Sequence, residues 1–332
     1  GTSQTGVNSS GYKNVCDRWR FNANGSNVGT YTVSQSTTTP DGFGASLKID
    51  CTTADTSISS DGFVQLYQRF EGQDLQLLKK GTSSAEYITF SFWVKSNLTG
   101  NFVVEVKDHD NSRVICSLVN ISSADTWEKK VLSFAGDTTG ALTNDNNLSL
   151  QVTMWLAAGS DYNSGTLATS WEAQNNVDRA VGTFNIASST DNNFFTTGWQ
   201  LEVGQFDANS IPDFQFEDRG TNLRRCQRYY FRQGDEGGYA ALGSGVCEST
   251  SSAYIMINLP TTMRASPSAS FTGNITLFDG DTFNTSSSIG STQKGTNCLR
   301  LSVTANSSVA NGHGATLHVE NSSSFAEFAS EL

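Results

Sequence analysis

The chain has 332 residues, and its 21 Lys and Arg against 32 Asp and Glu leave a net charge of −11. That sign repels a phosphate backbone, so nucleic acid is not an expected partner. Roughly a third of the residues are Ser, Thr or Asn, which disfavours helix-rich folds, while 20 Phe, 9 Tyr and 6 Trp supply more core material than a disordered chain carries. No apolar run approaches the roughly 18 residues of a spanning helix, so no membrane insertion is expected. The sequence opens on Gly1 with no basic and apolar leader, and is expected to be a processed or truncated piece.

In chain order, period-two alternation dominates. Residues 15–21 and 46–51 read as strands. Residues 71–80, with Leu75, Leu77 and Leu78 and a stop at Gly81, form the one helical candidate. Over 88–95 the apolar set Ile88, Phe90, Phe92 and Val94 alternates with polar partners and Trp93. Over 102–107, Phe102, Val104 and Val106 oppose Glu105 and Lys107. Strands follow at 114–119 and 127–134, then at 148–156, where Leu148, Leu150, Val152, Met154 and Leu156 face one way. The turn-rich stretches 138–147 and 188–193 flank that run, and 199–203 is a further strand. Many half-buried strands at this spacing predict an all-β fold, an antiparallel sandwich of jelly-roll type.

The pattern breaks over 211–221, around Pro212. Residues 1–219 are expected to form the jelly roll, and 220–332 a second, smaller β-sandwich with strands at 254–259, 271–278, 299–303 and 315–320.

The catalytic inventory is thin. His109, His313 and His318 are the three histidines, and no nucleophile elbow, phosphate loop or zinc-protease motif is present. No catalytic residue, and no enzymatic activity, is therefore expected. Cys16, Cys51, Cys116, Cys226, Cys247 and Cys298 lie at long, irregular intervals without metal-ligand spacing, and read as isolated thiols. In the polar tip at 107–111, Asp108 and Asp110 offer oxygen ligands to a structural calcium ion, although a solvated turn is the plainer reading. No other cofactor is implied.

The tryptophans say more. If the apolar sets face the core, Trp93 and Trp155 point outward, among Glu105, Lys107 and Gln151. An indole face takes the C–H groups of a sugar ring, and flanking polar side chains take its hydroxyls. The plainer alternative is a loop or subunit that covers both rings. Further on, Arg224, Arg225 and Arg228, with Tyr229 and Tyr230, sit in an arginine-rich stretch and suit ion pairing at a subunit or domain interface.

A resemblance adds to this. Asp17-Arg18-Trp19, Ser91-Phe92-Trp93-Val94-Lys95, Thr126-Trp127-Glu128, Gly198-Trp199-Gln200-Leu201-Glu202-Val203-Gly204, Phe216-Glu217-Asp218-Arg219 and Cys226-Gln227-Arg228-Tyr229-Tyr230 occur in this order. The series resembles a group of tailed-bacteriophage virion proteins whose jelly roll is similar to extracellular carbohydrate-binding modules. The ending, with its final Ser330-Glu331-Leu332, also resembles how such chains close. The resemblance implies a tail fibre or receptor-binding component that contacts host cell-surface glycans. It implies as alternatives a capsid fibre or head decoration protein, or the binding module of a polysaccharide depolymerase. It further implies a place on the phage particle surface after assembly in the host cytoplasm, other virion proteins as partners, and a homo-oligomer, most plausibly a trimer. It carries over no catalytic residues.

Overall fold

Side chains that alternate along a strand force one face onto a core and leave the other to solvent, and antiparallel ladders built this way run through the whole chain. The computed structural model describes residues 3–8, 11–16, 18–234 and 239–332, apart from the Ser287 side chain. Helix accounts for 8% and strand for 48%, which fixes the class as all-β. The chain divides into two compact units, Gly1–Gln215 and Phe216–Leu332, a few residues ahead of the expected boundary.

The first unit begins with β1 (Ser3–Val7), β2 (Gly11–Cys16), β3 (Trp19–Asn24), β4 (Thr30–Ser36), β5 (Ser46–Thr53) and β6 (Phe63–Glu71). After a 3-10 helix (Gly72–Leu78) come β7 (Ile88–Ser96), β8 (Gly100–Asp108), β9 (Arg113–Ile121) and β10 (Glu128–Phe134). It ends with β11 (Leu148–Ala158), the single turn α1 (Ser160–Asn163), β12 (Glu172–Ala173) and β13 (Asn193–Val203). These strands form a six-stranded sheet, β1-β4-β5-β13-β7-β10, and a seven-stranded sheet, β12-β9-β8-β11-β6-β3-β2. Rings meet across the gap between them: Phe21 on Tyr31 at 5.1 Å, Phe102 on Phe194 at 5.4 Å and Trp19 on Trp199 at 4.2 Å between centroids. Phe90, Phe92, Val94, Phe102, Val104, Val106 and the even positions from Leu150 to Leu156 all enter this core, as their spacing predicts.

Two expected elements are different. The strand expected over 15–21 is a hairpin: Cys16 pairs with Trp19, and Arg18 between them takes φ 61°. Asp17 lies outside the described residues. The expected helix is the 3-10 helix, closed by Lys79 in the left-handed region; Leu75 and Leu78 are buried beneath it while Leu77 is 73% exposed.

The second unit opens with α2 (Arg219–Gln227) and β14 (Tyr230–Gln233), followed by β15 (Ala241–Cys247), β16 (Ser252–Asn258), β17 (Ser268–Thr272) and β18 (Ile275–Phe278). It closes with β19 (Phe283–Lys294), β20 (Cys298–Ala305), β21 (Gly314–Val319) and β22 (Phe325–Ala329). It is the smaller β unit expected. Its larger sheet, however, closes on itself as the barrel β15-β16-β20-β19-β18-β21, because β21 pairs with both β15 and β18 and leaves no edge. A three-stranded sheet, β14-β22-β17, forms the other layer. The single strand expected over 271–278 splits at Gly273, whose φ of 75° suits glycine, and its halves join different sheets.

Buried ion pairs hold the loops of the first unit. Lys80 Nζ lies 2.5 Å from Asp108 and 3.0 Å from Asp137, with all three side chains almost fully enclosed. Arg113 reaches the same Asp137 at 2.7 Å, and Lys80 also donates to the carbonyls of Thr139 and Gly140. Burial pushes the Asp137 carboxyl up, but the hydrogen bonds from Arg113 and Lys80 outweigh it and hold it below its ordinary value. A carboxyl lowered on folding contributes stability above its unfolded value, near pH 4. That contribution is lost as pH falls through the folded value. Lys80→Met leaves buried Asp108 without its cation and Asp137 with Arg113 alone, and should cost about 3–5 kcal/mol in denaturant unfolding of the full chain. Asp137→Asn should flatten the acid limb of the same measurement.

Candidate functional site

Strand register assembles one surface from residues that are far apart in sequence. Across the outer face of the seven-stranded sheet, one row reads Cys116, Glu105, Thr153, Tyr67, Arg20 and Asn14 from β9 to β2. The row on one side reads Val114, Lys107, Gln151 and Arg69, and the row on the other reads Leu118, Val103, Trp155, Gln65, Asn22 and Tyr12. Glu105, Lys107, Gln151 and Trp155, expected to share a surface, therefore do share one.

Trp93 does not join them. It lies on β7, in the opposite sheet, between Thr197 and Lys129. Gly198, at φ 64°, lets the Phe43 and Trp93 rings close over the backbone: a Cβ there would stand 2.7 Å from Phe43 and 3.2 Å from Trp93. The two indoles thus point away from opposite sheets and cannot bracket one ligand. Alternation tells which way a side chain points from its own sheet, but not which sheet that is.

Trp155 is also covered. Its relative exposure is 0%, under a satellite core of Val103, Val114, Cys116, Ala168 and Ala180, with Phe63 and Tyr162 at its rim. The cover is the excursion 159–182 after β11. Glu105 pins it down: Trp155 Nε1 donates to Glu105 Oε2 at 2.7 Å, and Arg179 of the excursion donates to both carboxylate oxygens, at 3.1 and 2.8 Å. The Arg179 guanidinium also lies 5.0 Å from the Trp155 ring. Burial opposes the Arg179 charge, and Glu105 outweighs it, so the guanidinium titrates above its ordinary value. Trp155 and Glu105 are structural, and the sugar-contacting role expected of them is corrected.

The rest of this face is polar: Arg20, Tyr67, Gln151 and Thr153 are buried, Arg69 and Lys107 are half-buried, and Tyr12 and Asn14 are exposed. Arg20 donates to Asn14 Oδ1 at 3.0 Å and lies 4.3 Å over the Tyr12 ring, which is 51% exposed. Arg69 donates to Gln151 Oε1 at 3.0 Å, and Gln151 passes its own donor to Thr153 at 2.9 Å. The Asn22 Oδ1 and His109 Nε2 atoms are buried with no hydrogen-bond partner. Burial, then the cations of Lys107 and Arg69, depress the His109 imidazole to about 4, with the neighbouring Gln151 amide pulling the other way. His109 is consequently neutral at pH 7. Tyr12, Arg20, Tyr67 and Arg69 were not among the expected residues. Their signal is visible in 63–71, where Gln65, Tyr67 and Arg69 alternate with Val64 and Leu66.

The remaining expected residues fall elsewhere. Asp108 faces Lys80 and accepts from Asn111, whereas Asp110 accepts from the Thr143 backbone at 2.9 Å, so protein donors engage both. Among the described residues, no group of three His, Cys, Asp or Glu side chains gathers to hold a metal ion. All six cysteines are free thiols. In the second unit, Arg224 and Arg225 are exposed on the last turn of α2, where they complement the helix dipole, and Arg225 pairs with Glu217 at 2.7 Å. Tyr229 is buried, and its carbonyl accepts from Ser330 at 2.8 Å. The Arg228 carbonyl accepts from the Arg264 amide at 2.8 Å, and Tyr230 hydrogen-bonds Glu327. Tyr229 therefore belongs to the interior of its own unit rather than to a subunit surface.

No family model and no curated protein matches the sequence. Among solved structures the chain is similar to the enzymatically active domain of tailspike protein 4 of bacteriophage CBA120: identity 10%, TM-score 0.31, over 56% of this chain and only 19% of that one. It is similar to the family 11 carbohydrate-binding module of Clostridium thermocellum, solved with a β-1,3-1,4-mixed-linked tetrasaccharide, at 10% identity and TM-score 0.30, over 61% of this chain and 96% of that one. A third is the C-terminal family 22 carbohydrate-binding module of Clostridium thermocellum Xyn10B, at 12% identity and TM-score 0.30, over 60% and 92%. Likenesses at these scores carry no argument about activity.

Removing the Trp155 ring empties a sealed site and leaves Glu105 short of a donor. Trp155→Ala should cost about 3–5 kcal/mol in denaturant unfolding. A variant as stable as the parent would show that the excursion contributes nothing to the fold.

Proposed function

We propose that the first unit binds a glycan chain along the outer face of the seven-stranded sheet, without catalysis. The observation that carries this reading is the polar patch of Tyr12, Asn14, Arg20, Arg69 and Gln151 across three adjacent rows: amides, guanidinia and a phenol ring already held by one another, on a sheet face rather than in a pocket. The cavities of about 360, 600 and 770 Å³ lie elsewhere on the unit. Held donors and acceptors cost little entropy when a polyhydroxylated ligand arrives. The half-exposed Tyr12 ring offers the apolar contact that a pyranose face needs. An extended sheet face suits a polymer that lies along it.

The wider reading is a surface component of a tailed-bacteriophage particle, a tail fibre or receptor-binding part that meets host glycans. The ordered tryptophan and arginine motifs of the sequence support it. A capsid fibre or head decoration role, or service as the binding module of a depolymerase, would use the same fold. Such a part gains avidity by repetition, so a homotrimer is proposed, with the exposed Arg224 and Arg225 of α2 available for contact. A hydrolytic role has one foothold, a hydrogen bond of 2.7 Å between Thr316 Oγ1 and His318 Nε2 on β21, with His318 Nδ1 at 3.2 Å from the Tyr239 carbonyl.

Three measurements test these readings. The full chain should be retained on a glycan array, and Tyr12→Ala should weaken retention about fivefold, the equivalent of ~1 kcal/mol for one stacked ring. Loss of all retention without loss of fold would exceed what the ring can supply, and no change would remove Tyr12 from the site. Incubation with a retained polysaccharide should release no new reducing ends; release that Thr316→Val abolishes would move the assignment to a hydrolase. Light scattering at micromolar concentration should report a trimer, and a monomer counts against that proposal.

A further inference from the structure

Lys107 is a half-buried charge of the first unit. Lys80 and Arg179 each face a carboxylate, and Lys107, half-buried in the row Val114–Lys107–Gln151–Arg69, has no ion-pair partner among the described residues. Two residues on, and so on the same side of the chain, His109 buries an Nε2 atom that bonds to nothing described. Its backbone still follows the ladder, with its amide donating to Ser149 at 2.8 Å. Burial, then the Arg179 cation, lowers the Lys107 ammonium, and Glu105 acts the other way.

None of the three local acids answers that charge. Both oxygens of Glu105 are taken by Trp155 and Arg179. Glu71, two residues beyond Arg69 on β6, is fully buried and accepts from Gln73 Nε2 at 2.7 Å. Asp108 lies between Lys107 and His109 in sequence but turns to Lys80. A half-buried ammonium beside a neutral imidazole with a spare nitrogen is a complete set of donors for one anion: the ammonium supplies charge and the ring supplies an N–H.

We propose that the glycan bound on this face is acidic, with an anionic substituent seated between the Lys107 ammonium and the His109 Nε2–H. The inference rests on the glycan reading of the face and narrows it to a substrate class. Gln151, already tied to Arg69 and Thr153, fixes the floor between the two donors and the next sugar. The net charge of −11 makes this a local contact rather than long-range attraction, so densely charged polyanions gain little. An acidic sugar repeated at intervals along a chain fits better than a continuous phosphate backbone.

The test uses the full chain on immobilised polygalacturonate, its methyl-esterified form, dextran sulfate, dextran and a neutral mixed-linked β-glucan. Retention on an acidic polymer should exceed that on its neutral counterpart at least tenfold and fall as salt rises. Whether polygalacturonate or dextran sulfate is preferred separates a carboxylate from a sulfate. Lys107→Gln and His109→Ala should each reduce acidic retention about tenfold with unchanged melting, and Lys107→Arg should keep most of it. Equal retention of acidic and neutral polymers, indifferent to Lys107→Gln, overturns the anionic site and leaves the glycan reading intact. Neutral polymers retained alone, and weakened about fivefold by Tyr12→Ala, do the same. Retention of neither class overturns both.

Discussion

One buried carboxylate, Glu105, decides how the outer face of the seven-stranded sheet is divided. A carboxylate at 0% exposure is tolerable only when its charge is matched and its lone pairs are filled, because leaving water costs several kcal/mol. Arg179 supplies the charge in a two-point grip, and the Trp155 indole supplies another donor. To deliver Arg179 to that point, the excursion 159–182 must lie on the sheet, and in doing so it seals Trp155 beneath Ala168, Ala180 and Tyr162. The cover reaches the Trp155 row, while Lys107 and Arg69 stay half-exposed.

The same logic recurs at the end of β8. Asp108, three residues beyond Glu105, takes Lys80 from the far side of the 3-10 helix, and Lys80 in turn reaches Asp137 in the loop after β10. Two loops and a helix end are thus hung on one strand by ions. These loops are rich in Ser, Thr, Asn and Gly, and they have little apolar surface with which to dock. A chain with only 16% charged residues spends several of them inside, where a matched pair specifies position more sharply than a methyl group does. Lys107 has no such pair among the described residues, which is the ground for the anionic site proposed on it.

Much of the fold was legible because strand periodicity is local. Phe90, Phe92, Phe102 and Met154 could be assigned to the core from spacing alone, and the shared face of Glu105, Lys107, Gln151 and Trp155 followed from the same spacing. What failed was non-local. Which sheet a strand enters depends on pairing across long stretches of chain, so Trp93 and Trp155 could not be assigned to opposite sheets in advance. The cover over Trp155 comes from a segment with no periodic pattern, and nothing in 159–182 announces that Arg179 is destined for Glu105. The breaks at Arg18 and Gly273 were missed for a different reason. Each is one residue with positive φ inside a stretch whose apolar residues keep an even spacing, and that spacing does not display a turn. Tyr67 and Arg69 had a readable signal in their alternation with Val64 and Leu66, and they complete a site that the tryptophans alone misplaced.

A flat platform constrains how such a protein can work. A polymer lying on a sheet face keeps one side in solvent, so each copy makes few desolvated contacts and binds weakly compared with an enclosing pocket. On the proposed glycan reading, adhesion would need several copies, and the second unit bears on how copies could meet. Its barrel is closed and offers no edge strand to a neighbouring copy, so sheet extension in this unit would have to use β14 or β17, the edges of its three-stranded sheet. On α2, Leu223 is 50% exposed beside the exposed Arg224 and Arg225, an apolar spot flanked by guanidinia that could meet carboxylates on an acidic neighbour. A chain of net charge −11 is such a neighbour to itself, and that complementarity is what the proposed homotrimer would draw on at this helix.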